Sequence, residues 1–303
     1  MRDQERRAAA RDVAAPRRDR KKLALLFTAV ALVIVAIFVL AVVRSGPLAA
    51  TGPVPGAVPE APVAVAPDSL EDTVQSILDE NPAYRIGLAM ADISGDAALT
   101  FGDQEDFTAA STAKIITAAA FYHLVETGEA SLDDPLGDYD AAFQLEAMVN
   151  ESNNDSWLLL MDAVGYPRLI DYASSIGISY DPEKNLLTPA GMALVLKQLY
   201  AGDLLNPENT KQLLGYMQDT NNEELIPAGS QSGIEVFHKY GEFDGELHDA
   251  AILAYRGSTF VLVIYTENED GTQDEGQAKV IRDLTGVVEK ALFPPVQAGN
   301  KAP

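Results

Sequence analysis

The first pattern along the chain is an unbroken apolar one. Leu23 to Val43, LALLFTAVALVIVAIFVLAVV, is 21 residues without a charge. At ~1.5 Å per residue such a helix crosses the ~30 Å hydrocarbon core of a bilayer. It lacks the polar stripe that a soluble helix keeps toward water, and it is longer than the apolar region of a cleaved signal peptide. The next stretch, Ser45 to Pro67, carries six prolines and one charge. Proline at that density blocks helix and ladder bonding and stiffens the chain, so this reads as a semi-extended spacer.

After Asp68 the periods become those of a folded domain. Leu70, Val74, Ile77 and Leu78 share one face of a helix that Asp68 or Ser69 can cap. Tyr84–Ile93 and Ala97–Phe101 read as strands around the turn Ser94-Gly95-Asp96. From Ser111 to Met217 the period is helical, with candidates at Ile115–Thr127, Ala141–Asn150, Trp157–Val164, Arg168–Ile176 and Pro189–Leu199. Strand signals return at Ile234–Lys239, Ala250–Tyr255 and Phe260–Thr266. A last helix starts near Asp274, with Val280, Leu284, Val287, Val288 and Ala291 as its stripe.

Strands at both ends and helices between them predict an α+β domain. An antiparallel sheet would be flanked by the N- and C-terminal helices, beside a separate helical lobe, with a cleft between sheet and lobe. The predicted order is a basic segment over 1–22, a transmembrane helix over 23–43, a Pro-rich linker over 44–67, the domain over 68–293 and a tail over 294–303.

Charge orients this arrangement. Residues 1–22 hold nine Lys/Arg against four Asp/Glu, and only Arg44 follows the apolar span closely. The basic flank stays cytoplasmic, so the domain is expected outside the cell membrane, held by a single pass. From Ser45 onward there are 12 basic and 41 acidic residues. So acidic a body is a poor nucleic-acid partner. With no cysteine and only three histidines, thiolate zinc sites, iron–sulfur clusters, disulfides and a cysteine nucleophile are excluded, and no metal or cofactor is called for.

Three small motifs remain. Ser111-Thr112-Ala113-Lys114 opens the apolar helix KIITAAAFYHLV. Chance alone accounts for an S-x-x-K in a chain of 14 serines and 10 lysines, so placement carries the argument. A serine at a helix N-terminus lies among free N–H groups that favour a developing anion, although its simpler role is an N-cap. Lys114 lies one turn on, along the same face. Burial would lower its proton affinity and let it accept the serine's proton. Ser152-Asn153-Asn154 lies in a helix-joining loop. Lys239-Tyr240-Gly241 closes a strand, where glycine permits close backbone approach.

In this order the pieces resemble the serine penicillin-recognising enzymes, most of all the class A β-lactamases. FTAASTAKIITAAAFYHLVETGEASLDDPL is similar to their nucleophile helix, and LEAMVNESNNDSWLLLMDAVG to their S-D-N segment. LTPAGMALVLKQLYAGDLLNPENTKQLLGYM is similar to their late helical segment, and VFHKYGEFDGELHDAAILAY to their K-T-G hairpin. The resemblance covers about residues 69–293. It implies Ser111 as the acylated nucleophile, Lys114 as its proton acceptor and Ser152 as the shuttle to the leaving nitrogen. It implies Asn154 for the substrate amide and Lys239 for the substrate carboxylate and for tuning Ser152. It implies the N–H groups of Ser111 and Glu242 as the oxyanion hole, with Tyr240 and Gly241 completing the binding strand.

Four departures from that family stand out. No E-x-x-L-N loop follows Ile176-Gly177, where ISYDPEKN runs straight into LLTPAGM, and Glu183 is the nearest carboxylate. S-D-N is S-N-N. K-T-G is K-Y-G, with a phenol in place of a small hydroxyl. Ser111 and Ser152 are only 41 residues apart, so part of the lobe rim is missing.

The sequence therefore reads as a membrane-anchored, extracytoplasmic serine hydrolase acting on β-lactam or D-alanyl amide bonds. A slow-turnover penicillin-binding or D,D-peptidase-like protein and a catalytically silent wall- or protein-binding module are the alternatives. Gly229-Ser230-Gln231-Ser232-Gly233 places its serines wrongly for a nucleophile elbow. His248-Asp249 reads as a strand-end pair and His123 as a satisfied residue of the apolar helix.

Overall fold

A computed structural model describes residues 69–95 and 98–293. The apolar span 23–43, the linker and the tail lie outside the described residues. Among those described, no helix is long and apolar enough to cross a membrane.

The domain is built on a five-stranded antiparallel sheet in the order β2-β1-β9-β8-β7. These strands are β1 (Tyr84–Asp92), β2 (Leu99–Gly102), β7 (Glu235–Phe243), β8 (Glu246–Tyr255) and β9 (Ser258–Asn268). Tyr84 pairs with Asn268 and Asp92 with Phe260, so the two ends of the domain meet in the middle of the sheet. That placement makes β7 an edge strand. Gly87 is required at the sheet's centre, where a Cβ would fall 2.3 Å from the Asp103 carbonyl and 2.9 Å from Pro189.

Two helices cover one face. In α1 (Leu70–Glu80) Ser69 Oγ accepts the Asp72 N–H, which satisfies one orphan donor. In α9 (Glu275–Leu292) Asp274 and Gln277 close a reciprocal capping box. Val74, Val280, Ile281, Leu284 and Val288 from these helices pack on Leu88, Leu253, Leu262 and Ile264 from the strands.

The other face carries the lobe. At its centre is α2 (Lys114–Thr127), ten of whose residues are buried, so it has no polar face to turn outward. Around it lie α3 (Ala141–Val149), α4 (Asn154–Val164), α5 (Tyr166–Ser175), α6 (Pro189–Ala201) and α7 (Pro207–Tyr216). A four-residue helix, α8 (Ile226–Gly229), leads into β7. The last of the lobe helices, α7, was not separately predicted, because its PENTKQLLGY sequence offers little apolar stripe.

Two strand boundaries need correction. The strand expected to end at Lys239 runs on to Phe243, and its partner starts at Glu246, four residues earlier than expected. The hairpin turn is Asp244-Gly245, with Asp244 at φ 47°, and not the earlier Gly241. Two short ladders complete the frame. One joins β3 (Phe107–Thr108) to β6 (Leu186–Leu187), the other β4 (Pro135–Leu136) to β5 (Tyr139–Asp140). The first of these binds the approach to Ser111 to the shortened loop.

Candidate active site

Ser111 lies in a 3₁₀ turn, Ala110–Ala113, which leads directly into α2. Its simpler role is not realised, since neither the turn nor the helix has a side-chain cap. The residue before it, Ala110, has φ 47°, a left-handed conformation that costs a non-glycine residue about 1–3 kcal/mol. The shortened loop supplies the offset. Asn185 accepts the Ala109 N–H on its carbonyl at 2.7 Å and donates from Nδ2 to the Ala110 carbonyl at 2.9 Å. Tyr180 Oη in turn donates to Asn185 Oδ1 at 2.9 Å. At about 1 kcal/mol for each net hydrogen bond, this clamp is of the size needed. A trans peptide points its N–H opposite to its C=O, so clamping the Ala110 carbonyl also fixes the Ser111 N–H.

That N–H faces β7. A Cβ on Gly241 would lie 3.0 Å from Ser111 N and 3.1 Å from the Ala109 carbonyl, so only glycine lets the strand pass this close. The His238 N–H leaves the ladder and donates to the Met217 carbonyl at 2.8 Å, so it points to the open edge. Antiparallel alternation turns the Tyr240 and Glu242 N–H groups to the same edge. The Ser111 and Glu242 amides therefore border one place, beside the serine.

Lys114 is fully buried at the start of α2. Its Nζ donates to the Ser152 carbonyl at 2.8 Å, to Ser152 Oγ at 3.2 Å and to Asn154 Oδ1 at 2.7 Å. No hydrogen bond joins it to Ser111 among the described residues. Three acceptors match the three donors of an ammonium, yet none is a carboxylate, and burial lowers the amine to about 8. The loop is shaped for this contact. Asn153, not Ser152, caps α4 by accepting the Ser156 N–H, and Ser152 is held at φ 56°. That leaves Ser152 and Asn154 free to meet the lysine.

Lys239 is equally buried. Its Nζ donates to the Tyr240 carbonyl at 3.1 Å, and no hydrogen bond links it to Ser152 among the described residues. Burial, reinforced by the charge of Lys114, lowers it to about 7 against the opposing pull of Asp249 and Glu242. The Tyr240 phenol, raised by burial, donates to Asn221 Oδ1 at 2.9 Å. Glu242 is exposed, and its carboxylate accepts from Asn222 Nδ2 at 3.1 Å. The predicted residues Ser111, Lys114, Ser152, Asn154, Lys239, Tyr240, Gly241 and Glu242 thus converge between the edge of β7 and the lobe. Sequence reasoning missed Asn185 and Asn221, both of which act across more than 15 residues of chain.

Three side readings change. Glu183 is exposed on a turn, where its own N–H bonds to Asp181. His123 is exposed and leans on Tyr172, with ring centroids 5.5 Å apart. His248 and Asp249 are not a strand-end pair. They lie inside β8 and face opposite ways. His248 Nδ1 accepts the Thr266 N–H, which leaves the ring proton on Nε2 to meet the Thr108 carbonyl at 2.9 Å. Asp249 contacts His238 Nδ1 at 2.9 Å and accepts the Ile226 N–H. On its other side His238 Nε2 meets Glu223 at 3.2 Å and Thr220 Oγ1 at 3.0 Å. Burial opposes charge on this ring, but the two carboxylates outweigh it and raise the imidazole to about 9. The carboxyl of Glu223 is lowered, first by its hydrogen bond with His238. Among the described residues no cluster of side chains is suited to a metal ion.

Comparison with known proteins fits this geometry. Residues 69–292 match the beta-lactamase enzyme family. A beta-lactamase of Proteus vulgaris is 25% identical over 247 residues, 69% of this chain and 89% of its own length. Beta-lactamase CTX-M-8 of Citrobacter amalonaticus is 25% identical over 254 residues, 71% of this chain and 85% of its own. Among solved structures, PBP-A superposes with a TM-score of 0.68 at 23% identity, over 73% of this chain and 95% of that one. An ancestral class A beta-lactamase superposes with a TM-score of 0.68 at 24% identity, over 74% of this chain and 100% of that one. At such identities the superpositions speak for the fold, an α+β sheet with flanking helices and a lobe.

Proposed function

The chain belongs to the beta-lactamase enzyme family, and on that premise we propose that it opens β-lactam or related amide bonds through an acyl-serine on Ser111. The observation that supports this most is Lys114, a buried amine lowered to about 8 and bonded to both Ser152 and Asn154. A base works best when its pKa lies near the working pH. In the proposed path neutral Lys114 takes the Ser111 proton as Oγ attacks the carbonyl carbon. The developing oxyanion is met by the Ser111 and Glu242 N–H groups, each worth about 3 kcal/mol in such sites. As the C–N bond breaks, Ser152 passes the proton from Lys114 to the leaving nitrogen. Asn154 Oδ1 is engaged with Lys114, which leaves its amide N–H₂ for the substrate's amide side chain.

Release of the acyl group needs a second base. The shortened loop offers Glu183, which is exposed, and Asp181, whose Oδ1 is taken up by the Glu183 and Lys184 N–H groups. General-base help is worth about 10²–10⁴-fold, so acylation should outrun hydrolysis. This favours slow turnover, in the manner of a penicillin-binding or D,D-peptidase-like protein acting on wall peptides. A variant of PBP-A has been solved as an acyl-enzyme complex with penicillin G. The two buried amines speak against a silent module.

We also propose that residues 23–43 span the membrane and hold the domain outside it, with residues 44–67 as spacer and 68–293 as the catalytic unit. Protease added to intact spheroplasts should then remove the chain beyond about Ser45, and a protected domain would contradict this.

For the chemistry, a β-lactam offered as free acid or neutral ester should add its own mass to the protein. The adduct should persist for minutes, vanish in Ser111→Ala, and be unaffected by Glu183→Gln. Rapid multiple turnover with no detectable adduct would place another base in the site.

A further inference from the structure

Lys239 is the cation placed to meet a substrate carboxylate, yet it is closed off. Its side chain has no exposed surface. Its amine lies 4.0 Å from the centroid of the Tyr240 ring and is spent on the carbonyl of that same residue. A threonine or serine hydroxyl at this position would stop near the backbone. The phenol reaches across the cleft mouth.

The ring is also tied in place. Tyr240 Oη donates to Asn221 Oδ1 at 2.9 Å. Asn221 Nδ2 donates to the Glu151 carbonyl at 2.8 Å, and its backbone N–H to the Asn150 carbonyl at 3.3 Å. Tyr240 therefore forms a strap from the sheet edge to the loop that holds Ser152. Lys114, the other cation here, is taken up by Ser152 and Asn154. Beside the strap stands the exposed side chain of Glu242, whose charge acts on the Tyr240 phenol. An incoming carboxylate meets a π face and the like charge of Glu242, with no free ammonium, and an unpaired carboxylate held out of water is strongly disfavoured.

We propose that this chain selects acyl donors that carry no carboxylate beside the leaving nitrogen, with Tyr240 as the specificity-determining residue and Asn221 as its tether. The selection rests on the acyl-serine reading above. The bond changes are those already described: Ser111 Oγ bonds to the carbonyl carbon, the C–N bond breaks, and the nitrogen leaves with a proton. What differs is the group next to that nitrogen, a neutral ester or amide and not an anion.

The test compares acylation rate constants for benzylpenicillin and its methyl ester, followed by intact mass. The wild type should favour the ester by at least about tenfold, the low end of what a pocket achieves between substrates that differ by one small group. Tyr240→Thr uncovers Lys239, replaces the long phenol by a short hydroxyl donor and should reverse the preference toward the acid. Asn221→Ala keeps the phenol but unties it, and should give an intermediate ratio; it also serves if the threonine variant fails to fold. A wild type that reacts with the acid as fast as with the ester would overturn the proposal, as would an unchanged ratio in both variants, while the acyl-serine reading stands. Labelling of Ser111 by neither reagent would overturn that reading and this one with it.

Discussion

His238 and Lys239 are neighbours on β7, both buried, both basic, and their surroundings treat them in opposite ways. His238 is gripped by Asp249 and Glu223 and is raised to about 9, so it is charged at neutral pH. Lys239 has a carbonyl and a ring for company and is lowered to about 7. Lys114, across the cleft, is likewise without a hydrogen-bonded carboxylate and is lowered to about 8. Alternation along one strand thus sends a matched ion cluster to one side and a starved amine to the other. A buried cation with carboxylates on both nitrogens fastens structure, whereas a buried amine without one is ready to exchange a proton near neutral pH.

The largest test breaks the starved side. Lys114→Ala removes the proposed base, and acylation of Ser111 should fall about 10²–10⁴-fold with little loss of fold. Stopped-flow acylation alongside thermal melting checks both halves. A rate unchanged by Lys114→Ala would remove lysine from the mechanism.

The complementary test breaks the matched side. Asp249→Ala leaves a buried imidazolium half-paired and frees the Ile226 N–H. Removing one member of a buried pair costs about 3–5 kcal/mol, so denaturant titration should show a drop of that order. Acylation by the folded fraction should be far less affected than in Lys114→Ala.

These two clusters were not equally legible in the sequence. Ser111 and Lys114 are three residues apart at the mouth of an apolar helix, so local spacing placed them together. The Ser152 loop could be placed because helix periods end on both sides of it. The His238–Asp249 contact depends on strand register, and register could not be set while the strand was ended at Lys239 and its partner started at Ala250. The true hairpin turns at Asp244-Gly245, a strong two-residue hairpin signal, which the Gly241 nearby overshadowed. Asn185 and Asn221 were invisible for a different reason. Their side chains act on backbone 75 and 70 residues away, and no period encodes such a contact.

A smaller effect is expected at Asn185. Asn185→Gly keeps the left-handed φ but deletes the donor to the Ala110 carbonyl. The Ser111 N–H would then be free to tilt. Acylation should slow by about tenfold, short of the 10²–10³-fold seen when an oxyanion donor is lost outright. The carbonyl stretch of the acyl-serine should also move to higher frequency, because a looser oxyanion hole polarises the carbonyl less. A stability change without any shift of that band would make Asn185 merely structural.

The smallest effect is on the pH dependence of stability, where the two sides have opposite signs. His238 is raised above its unfolded value, so its contribution is complete below about pH 6.5 and lost as pH rises through about 9. Lys114 and Lys239 are lowered below theirs, so the folded state binds fewer protons and stability rises from about pH 7 toward 10.5. The melting gap between wild type and His238→Asn should therefore be widest near about pH 6 and narrow above about 9. A gap independent of pH would mean that the imidazole is not charged in the fold.

The central claim is that the starved amine at Lys114 activates Ser111. The most direct measurement is the rate of acylation by a β-lactam against pH, with the adduct located by peptide mapping. One adduct is predicted, on Ser111, forming at a rate that rises with pH and levels off above about 8 as Lys114 becomes neutral. A label on another residue, or a rate on Ser111 that ignores pH across that range, would contradict it.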